Sequence, residues 1–438
     1  MRPYRYRHTR QGGRITTGYT MDCIGTQTLG KMLEYRSDVF GGRECIVFED
    51  NDQRLVTYSY HEVNLLVNKY AGILLRRGIG KSTKVIVHMK NCPEFIFSWF
   101  ALAKIGAVMV PTNVLSSLQE IEYFAQYADA EAVITEPEYV NLFTDIRQSC
   151  PAVKQLLLAR TASWYPNSRM YPDTTVLGEL IDEAPPEAPA ADIDPEDDLM
   201  IVFTPAKNGG TRAVRITHAN AVFAGIFGAQ AWKVTPLDRH FMVLPLFHIN
   251  GQFISVMPTL TAGATLIMTE QFIASRYMEQ ARAYGVTTAS LVAATVRMLL
   301  SQPPTELDSK NSLRLAMYAI AITDEEWDAF ESRFNIRLCD LWGLTETLGA
   351  TTINPIDGRF KRNCIGMPRL GTEVMVVNDQ GNPVPPETQG EIIVRGVPGR
   401  TLMKDYYKDS EATEAVMRSG WLHTGDIGYM DADGYFHI

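Results

Sequence analysis

The feature that most restricts how this chain can fold is the regular exchange of two apolar periods. Runs at 84–89, 107–110 and 132–135 are short, apolar and rich in β-branched residues, whereas 61–77, 93–105 and 120–128 space their apolar side chains along one helix face. Pro93 opens one of these helices and Gly78 closes another. The pattern returns downstream, with strands expected at 199–204, 241–244, 265–268, 287–291 and 315–319 and helices at 277–284 and 324–334. Adjacent parallel strands need a crossover between them, so this exchange predicts mostly parallel sheets covered by helices. Beyond residue 366 the period falls to two at 373–377, 391–395 and 428–430, with Asp379-Gln380-Gly381-Asn382 as a turn, which predicts antiparallel pairing. The expected fold class is α/β. Two αβ subdomains with mainly parallel sheets, over 21–195 and 196–360, are followed by a small antiparallel β-barrel-like subdomain over 361–438. A Pro-, Ala- and acid-rich stretch at 184–198 marks the first boundary. A chain of 438 residues also exceeds what one ordinary core holds.

Charge and cysteine usage narrow the function. A net charge of −9 argues against a general nucleic-acid binder. Residues 1–20 depart from the rest: five arginines and no acid give +5 and leave −14 for the remainder. Lacking an apolar segment, this stretch is not a secretory signal; a disordered basic extension or leader is expected, with Met21 as the natural start. Six cysteines, at 23, 45, 92, 150, 339 and 364, show no C-x-x-C and no zinc spacing, as expected for reduced thiols in the cytoplasm. The charge-free run 241–269 exceeds a membrane span in length. Pro245, Asn250, Gly251, Pro258 and Gly263 interrupt it, so buried strand, loop, helix and strand are expected instead. No repeat at solenoid periods is present, and oligomeric state is not readable.

Four stretches can carry chemistry. In Leu341-Trp342-Gly343-Leu344-Thr345-Glu346-Thr347, Trp342 can stack a flat base and Gly343 lets backbone approach closely. Thr345 can donate to a phosphate oxygen, and Glu346 can hold a hard cation such as Mg²⁺. Read alone, the same residues fit a strand running into a Thr-Glu helix cap. The strand ending at Thr204 leads into Pro205-Ala206-Lys207-Asn208-Gly209-Gly210-Thr211-Arg212, a cationic, glycine-containing loop. It fits a phosphate cradle built on Thr204, Lys207, Gly209, Gly210 and Arg212, or a surface turn with solvated cations; it is not a Walker loop. His248, within Leu244-Pro245-Leu246-Phe247-His248-Ile249-Asn250-Gly251, is either a core histidine or the wall of an acyl pocket. Asp426, between Gly425 and Gly428, is either a turn residue or an acceptor for two ribose hydroxyls.

The joint order is more specific than its parts. The cationic loop, then P-L-F-H at 245–248, W-G-L-T-E at 342–346, G-E-I-I-V-R-G at 390–396 and W-L-H-T-G-D at 421–426 resemble the adenylate-forming (AMP-binding) superfamily of acyl-CoA synthetases, luciferases and peptide-synthetase adenylation domains. The resemblance runs from Met21 to Ile438. Within the superfamily the likeness is to crotonobetaine/carnitine–CoA ligases, carried by Met21-Asp22-Cys23-Ile24-Gly25, Asn91-Cys92-Pro93-Glu94-Phe95-Ile96-Phe97, Ala103-Lys104-Ile105-Gly106-Ala107 and Gly396-Val397-Pro398-Gly399. It implies an ATP-dependent acid–thiol ligase that forms an acyl-adenylate and then an acyl-CoA, with ATP/AMP, Mg²⁺, coenzyme A and a small carboxylate as cofactors and partners. Carnitine- or crotonobetaine-like acids are the implied substrates. By position, Trp342 replaces the usual tyrosine against adenine, Thr345 meets the α-phosphate, Glu346 binds Mg²⁺, Asp426 holds the ribose, and His248 borders the acyl and CoA passage.

The chain also departs from the family pattern. The family loop reads T-S-G-T-T-G-x-P-K-G; here Pro205, Ala206, Lys207 and Asn208 replace its Ser, Gly, Thr and Thr, and Thr211-Arg212-Ala213 replaces Pro-Lys-Gly. Proline removes an N–H and hydroxyl donors are lost, so impaired adenylation is expected, with Lys207, Arg212 and Arg215 keeping the loop positive. Tyr318-Ala319-Ile320-Ala321 lacks the glycines often found beside adenine. Family members carry a C-terminal lid after this point, absent from these 438 residues. A noncatalytic nucleotide- or acyl-binding relative is the alternative. For a trimethylammonium acid, Trp232, Phe247, Phe253 and Tyr318 are the available aromatic faces.

Overall fold

The computed structural model describes residues 23–159, 171, 173–206 and 209–438. The basic segment 1–20 and Lys207 lie outside the described residues. Two large sheets and one small one make up the fold. The nine-stranded sheet runs Met367–Pro368, Thr352–Ile353, Arg337–Trp342, Leu315–Ala319, Thr288–Val292, Arg239–Met242, Thr265–Thr269, Glu44–Glu49, Leu55–Ser59. Its central pairings, from Arg337–Trp342 to Glu44–Glu49, are all parallel. The eight-stranded sheet is parallel from Asp198–Pro205 through Val108–Pro111, Lys84–His88, Ala130–Thr135 and Gln155–Leu158 to Thr175–Val176. Its antiparallel edge is Thr211–Thr217 followed by Asp405–Tyr406. The small sheet is antiparallel and joins Glu373–Val377, Gly390–Arg395, Trp421–Met430, Met417–Arg418 and Phe436–His437.

Local signals account for the elements. Pro93–Ile105 starts on its proline and ends on Gly106 at φ 71°, and almost every side chain in it is buried. Capping boxes open Tyr60–Arg76 (Ser59 with Glu62), Leu118–Tyr127 (Ser117 with Glu120) and Asp324–Phe334 (Thr323 with Glu326). The charge-free run forms the end of one strand, a π-helix at Asn250–Val256, the helix Met257–Ala262 and the strand Thr265–Thr269, nearly all of it buried. No described helix is long and apolar enough to cross a membrane. Residues 184–198 are largely exposed, as their composition suggests.

The sheets cross the boundary expected at 195/196. Glu44–Glu49 and Leu55–Ser59 belong to the later sheet, and Asp198–Pro205 and Thr211–Thr217 to the earlier one. The cause is burial. Residues 45–49 are covered on both faces, which suits an interior place beside Thr265–Thr269. Likewise, Met200 pairs with Met109 in the first sheet.

Candidate active site

A cavity of about 940 Å³ opens at the carboxyl ends of the parallel strands Arg239–Met242, Thr288–Val292, Leu315–Ala319 and Arg337–Trp342. Open α/β sheets place ligands there, because the strand-to-helix turns leave a crevice. Trp342 is the last residue of its strand and is half-buried, and Gly343 follows it into a chain crossing. A Cβ on Gly343 would lie 1.9 Å from the Gly349 carbonyl oxygen, so only glycine fits. The Trp342 carbonyl accepts the Thr351 N–H at 2.7 Å. Thr347 Oγ1 accepts the Leu344 N–H at 2.8 Å and fixes the turn that carries Thr345 and Glu346.

Asp426 reaches the same place from the small sheet. The register between Gly390–Arg395 and Trp421–Met430 slips between Glu391 and Ile393, so Thr424, Gly425 and Asp426 bulge out of the ladder. Gly425 takes φ 69° there, and Thr424 Oγ1 donates to the Ile392 carbonyl at 2.6 Å. Trp342 Nε1 donates to Asp426 Oδ2 at 3.0 Å, which couples the two sheets at the site. Thr424 and Gly425 line the cavity directly.

Trp342, Gly343, Thr345, Glu346, Thr204, Arg212 and His248 all face this one cavity. Glu346 Oε1 accepts the Tyr406 hydroxyl at 2.8 Å, and its carbonyl accepts the Met403 N–H at 2.8 Å. Burial and the Glu346 carboxylate raise the Tyr406 pKa, so the phenol stays a donor. His248 is exposed at the rim, and its Nδ1 accepts the Asn250 N–H at 3.1 Å. Among the described residues no group of three His, Cys, Asp or Glu is placed to hold a metal. One carboxylate completed by phosphate oxygens and water is nevertheless a usual Mg²⁺ arrangement, so Glu346 fits the ion.

Of the loop after Thr204, Ala206, Gly209 and Gly210 are among the described residues. It is the tip of a hairpin, with Thr204 opposite Arg212 and Pro205 opposite Thr211. The Ala206 N–H donates to the Gly210 carbonyl at 3.1 Å, and the Gly209 N–H to the Ala206 carbonyl at 3.0 Å. These amides close the turn. Gly209 and Gly210, at φ 84° and 82°, stand at the tip away from the cavity lining. The cations are also partnered. Arg212 Nη1 meets Asp409 Oδ2 at 2.7 Å and its guanidinium lies over the Tyr406 ring. Arg215 bonds Asp405 through two nitrogens and Asp198 through a third. The hydrogen bond to the Asp405 carboxylate raises the Arg215 pKa. Two of the three cations expected to keep the loop positive, Arg212 and Arg215, are thus paired with acids from 405–409; the third, Lys207, lies outside the described residues.

Residues not singled out from sequence also form the site: Tyr406, Asp409, Glu391, His423 and Arg418. Glu391 bonds His423 Nδ1 at 2.7 Å and accepts the Gly425 N–H at 2.8 Å, which supports the bulge before Asp426. Arg418 lines the cavity and donates to the Ala415 carbonyl at 2.6 Å. Of the aromatic residues considered for a cationic acid, only Phe247 lines the cavity. Trp232, Phe253 and Tyr318 are 1%, 1% and 4% exposed and pack in apolar cores.

A family model described as AMP-binding enzyme matches residues 33–407. Over 428 residues the chain is 34% identical to the crotonobetaine/carnitine–CoA ligase of Salmonella paratyphi B, covering 95% of this chain and 80% of that one. The N-terminal domain of FACL13 from Mycobacterium tuberculosis superposes with a TM-score of 0.81 at 25% identity, covering 94% of this chain and 99% of that one. The anthranilate CoA ligase AuaEII, solved with anthranoyl-AMP, shares the fold with a TM-score of 0.85 at 22% identity over 94% of this chain and 77% of that one. With its fold, its cavity and these matches in agreement, this chain belongs to the AMP-binding enzymes, as a member of the AMP-forming acyl-CoA ligases.

Proposed function

We propose that this chain joins a small carboxylic acid to ATP as an acyl-adenylate with release of pyrophosphate, and then transfers the acyl group to the thiol of coenzyme A. The observation that carries this reading is the convergence of Trp342, Thr345, Glu346 and Arg212 on one cavity, with Asp426 fastened to Trp342. A carboxylate oxygen must approach the α-phosphorus in line although both are anionic, so positioning and charge offset provide most of the rate. Trp342 stacks the base, and Asp426, bonded through Oδ2 to Trp342 Nε1 beside the cavity, accepts the ribose hydroxyls. Thr345 donates to the α-phosphate. Glu346 would hold Mg²⁺, and the ion would supply positive charge against the phosphates. Arg212 supplies the cation on the hairpin side. His248 stands at the rim, where the acyl group meets the thiol. The described cysteines are all free thiols, which supports a reducing, cytoplasmic setting for ATP and coenzyme A.

A second reading, a nucleotide- or acyl-binding relative without turnover, is favoured by the closed hairpin amides and by the Arg212–Asp409 pair. Pyrophosphate exchange over a panel of carboxylates, beside calorimetric ATP binding, separates the two. Exchange that depends on one acid supports the ligase, and binding without exchange supports the second reading. Absence of both overturns the nucleotide site itself.

A further inference from the structure

The acid's tail is left open by the proposal above, and the cavity lining narrows it. The wall at the strand ends consists of Leu244, Phe247, Ile254, Val292, Ala319 and Leu341. Two of its polar neighbours, Asn250 and His248, are already engaged. Asn250 Oδ1 accepts the Ser290 hydroxyl at 2.9 Å, and His248 Nδ1 accepts the Asn250 N–H. A quaternary ammonium has no N–H to donate, so it must be met by a carboxylate or by converging aromatic faces. Among the described lining residues the carboxylates are Glu346 and Glu391. Glu346 carries the Tyr406 hydroxyl, and Glu391 carries His423 and the Gly425 N–H. Both are thus tied to the side formed by 391–425. Among the described wall residues Phe247 is the one aromatic ring; Trp342 and Tyr406 also line the cavity but are tied to Asp426 and Glu346, and the rings of Trp232, Phe253 and Tyr318 are held in cores.

Resting on the acyl-adenylation reading, we infer that the acid taken by this chain has an uncharged apolar tail, alkyl or aryl, rather than the trimethylammonium group that the names of its curated relatives imply. A cation on this wall would lose its water and gain no counter-charge. An alkyl or aryl tail gains from the same burial.

The test uses two non-hydrolysable acyl-sulfamoyl adenosines of one shape. One ends in trimethylammonium; in the other carbon replaces the nitrogen, giving a tert-butyl end. Their binding to the full chain is measured by calorimetry, with AMP alone as a third arm. The tert-butyl ligand should bind at least about 10-fold tighter than the cationic one. Equal or tighter binding of the cationic ligand overturns the inference. If AMP binds and neither acyl end improves on it, the tail site fails while the nucleotide site stands. If no arm binds, AMP included, the acyl-adenylation reading fails and takes the inference with it. Val292→Asp places a carboxylate in the wall and should shift the preference toward the cation by about 10-fold. A folded Val292→Asp protein with unchanged preference counts against this wall as the tail site.

Discussion

Replacing Asp409 by asparagine asks where the charge that meets the phosphates resides. Asp409 uses its two oxygens differently. Oδ1 accepts the Ala412 N–H at 2.9 Å and caps Ser410–Val416, whereas Oδ2 pairs with Arg212 at 2.7 Å. Asparagine is a favoured N-cap residue, so Asp409→Asn keeps the cap and removes the charge opposite Arg212. The side chains of Arg212 and Asp409 are 31% and 29% exposed, which puts the pair at the weak end, about 0.5–1 kcal/mol. Freed from that pair, Arg212 should tighten ATP binding about two- to fivefold. The melting temperature should change by no more than about 3 °C. Calorimetric titration with ATP at two ionic strengths checks this. The gain should fade with salt, since the screening length drops from about 10 Å at 0.1 M to about 3 Å at 1 M. Arg212→Ala should move affinity the other way. An Asp409→Asn protein that melts normally but binds ATP no better would refute the reasoning, because Arg212 would then be a structural partner only.

Further expectations concern the same cavity. Trp342→Phe keeps a flat ring but removes the donor to Asp426; at about 1 kcal/mol for a half-exposed bond, AMP affinity should fall about fivefold, while dideoxy-AMP, lacking the ribose hydroxyls, should lose less. An equal loss for both ligands would disconnect Asp426 from the ribose. Ile320 sits at φ 72° and is 71% exposed at the cavity, a costly conformation for a β-branched side chain. Ile320→Asn should raise stability by about 1 kcal/mol in urea unfolding, and an unchanged midpoint would count against strain there. Burial pushes the Asp340 carboxyl up to about 6, with the Tyr318 hydroxyl and Asn354 as partners. Because the folded pKa exceeds the unfolded one, this contribution is present below about pH 4 and lost as pH rises through about 6, on the order of 2–3 kcal/mol. Asp340→Asn should flatten the urea midpoint between about pH 4 and 6.5, and a variant with the same decline would exclude Asp340 as its source.

The sequence made some of this legible and hid the rest for physical reasons. Helices with explicit punctuation were readable: Pro93–Ile105 between a proline and a left-handed glycine, and Asp324–Phe334 behind Thr323 and Glu326. Trp342, Thr345 and Glu346 stood out because they form one short run at a strand end. The sequence places Thr211 and Arg212 in the loop, although they open the strand Thr211–Thr217, because a cation beside glycines resembles a solvated charge. The partners of Arg212 and Arg215, Asp409 and Asp405, lie 197 and 190 residues away, where periodicity carries no information. Tyr406 and Glu391 were missed for the same reason, since each is ordinary until a distant strand brings it to the cavity. Trp232, Phe253 and Tyr318 were plausible cage residues by type, but burial assigned them to cores.

The exchange of hairpins between the two large sheets also governs how the protein can be assembled. Ile46 sits between Tyr58 and Leu266, so an early, strongly apolar strand has its hairpin partner on one side but nothing on the other until the ribosome has delivered the middle of the chain. The other sheet gains its outer edge only when Tyr406 arrives beside Val214. Long closures of this kind slow folding and leave sticky edges open in the interval. Severing the exposed stretch near residue 190 would therefore yield two fragments that are insoluble apart and recover a native far-UV spectrum only when refolded together.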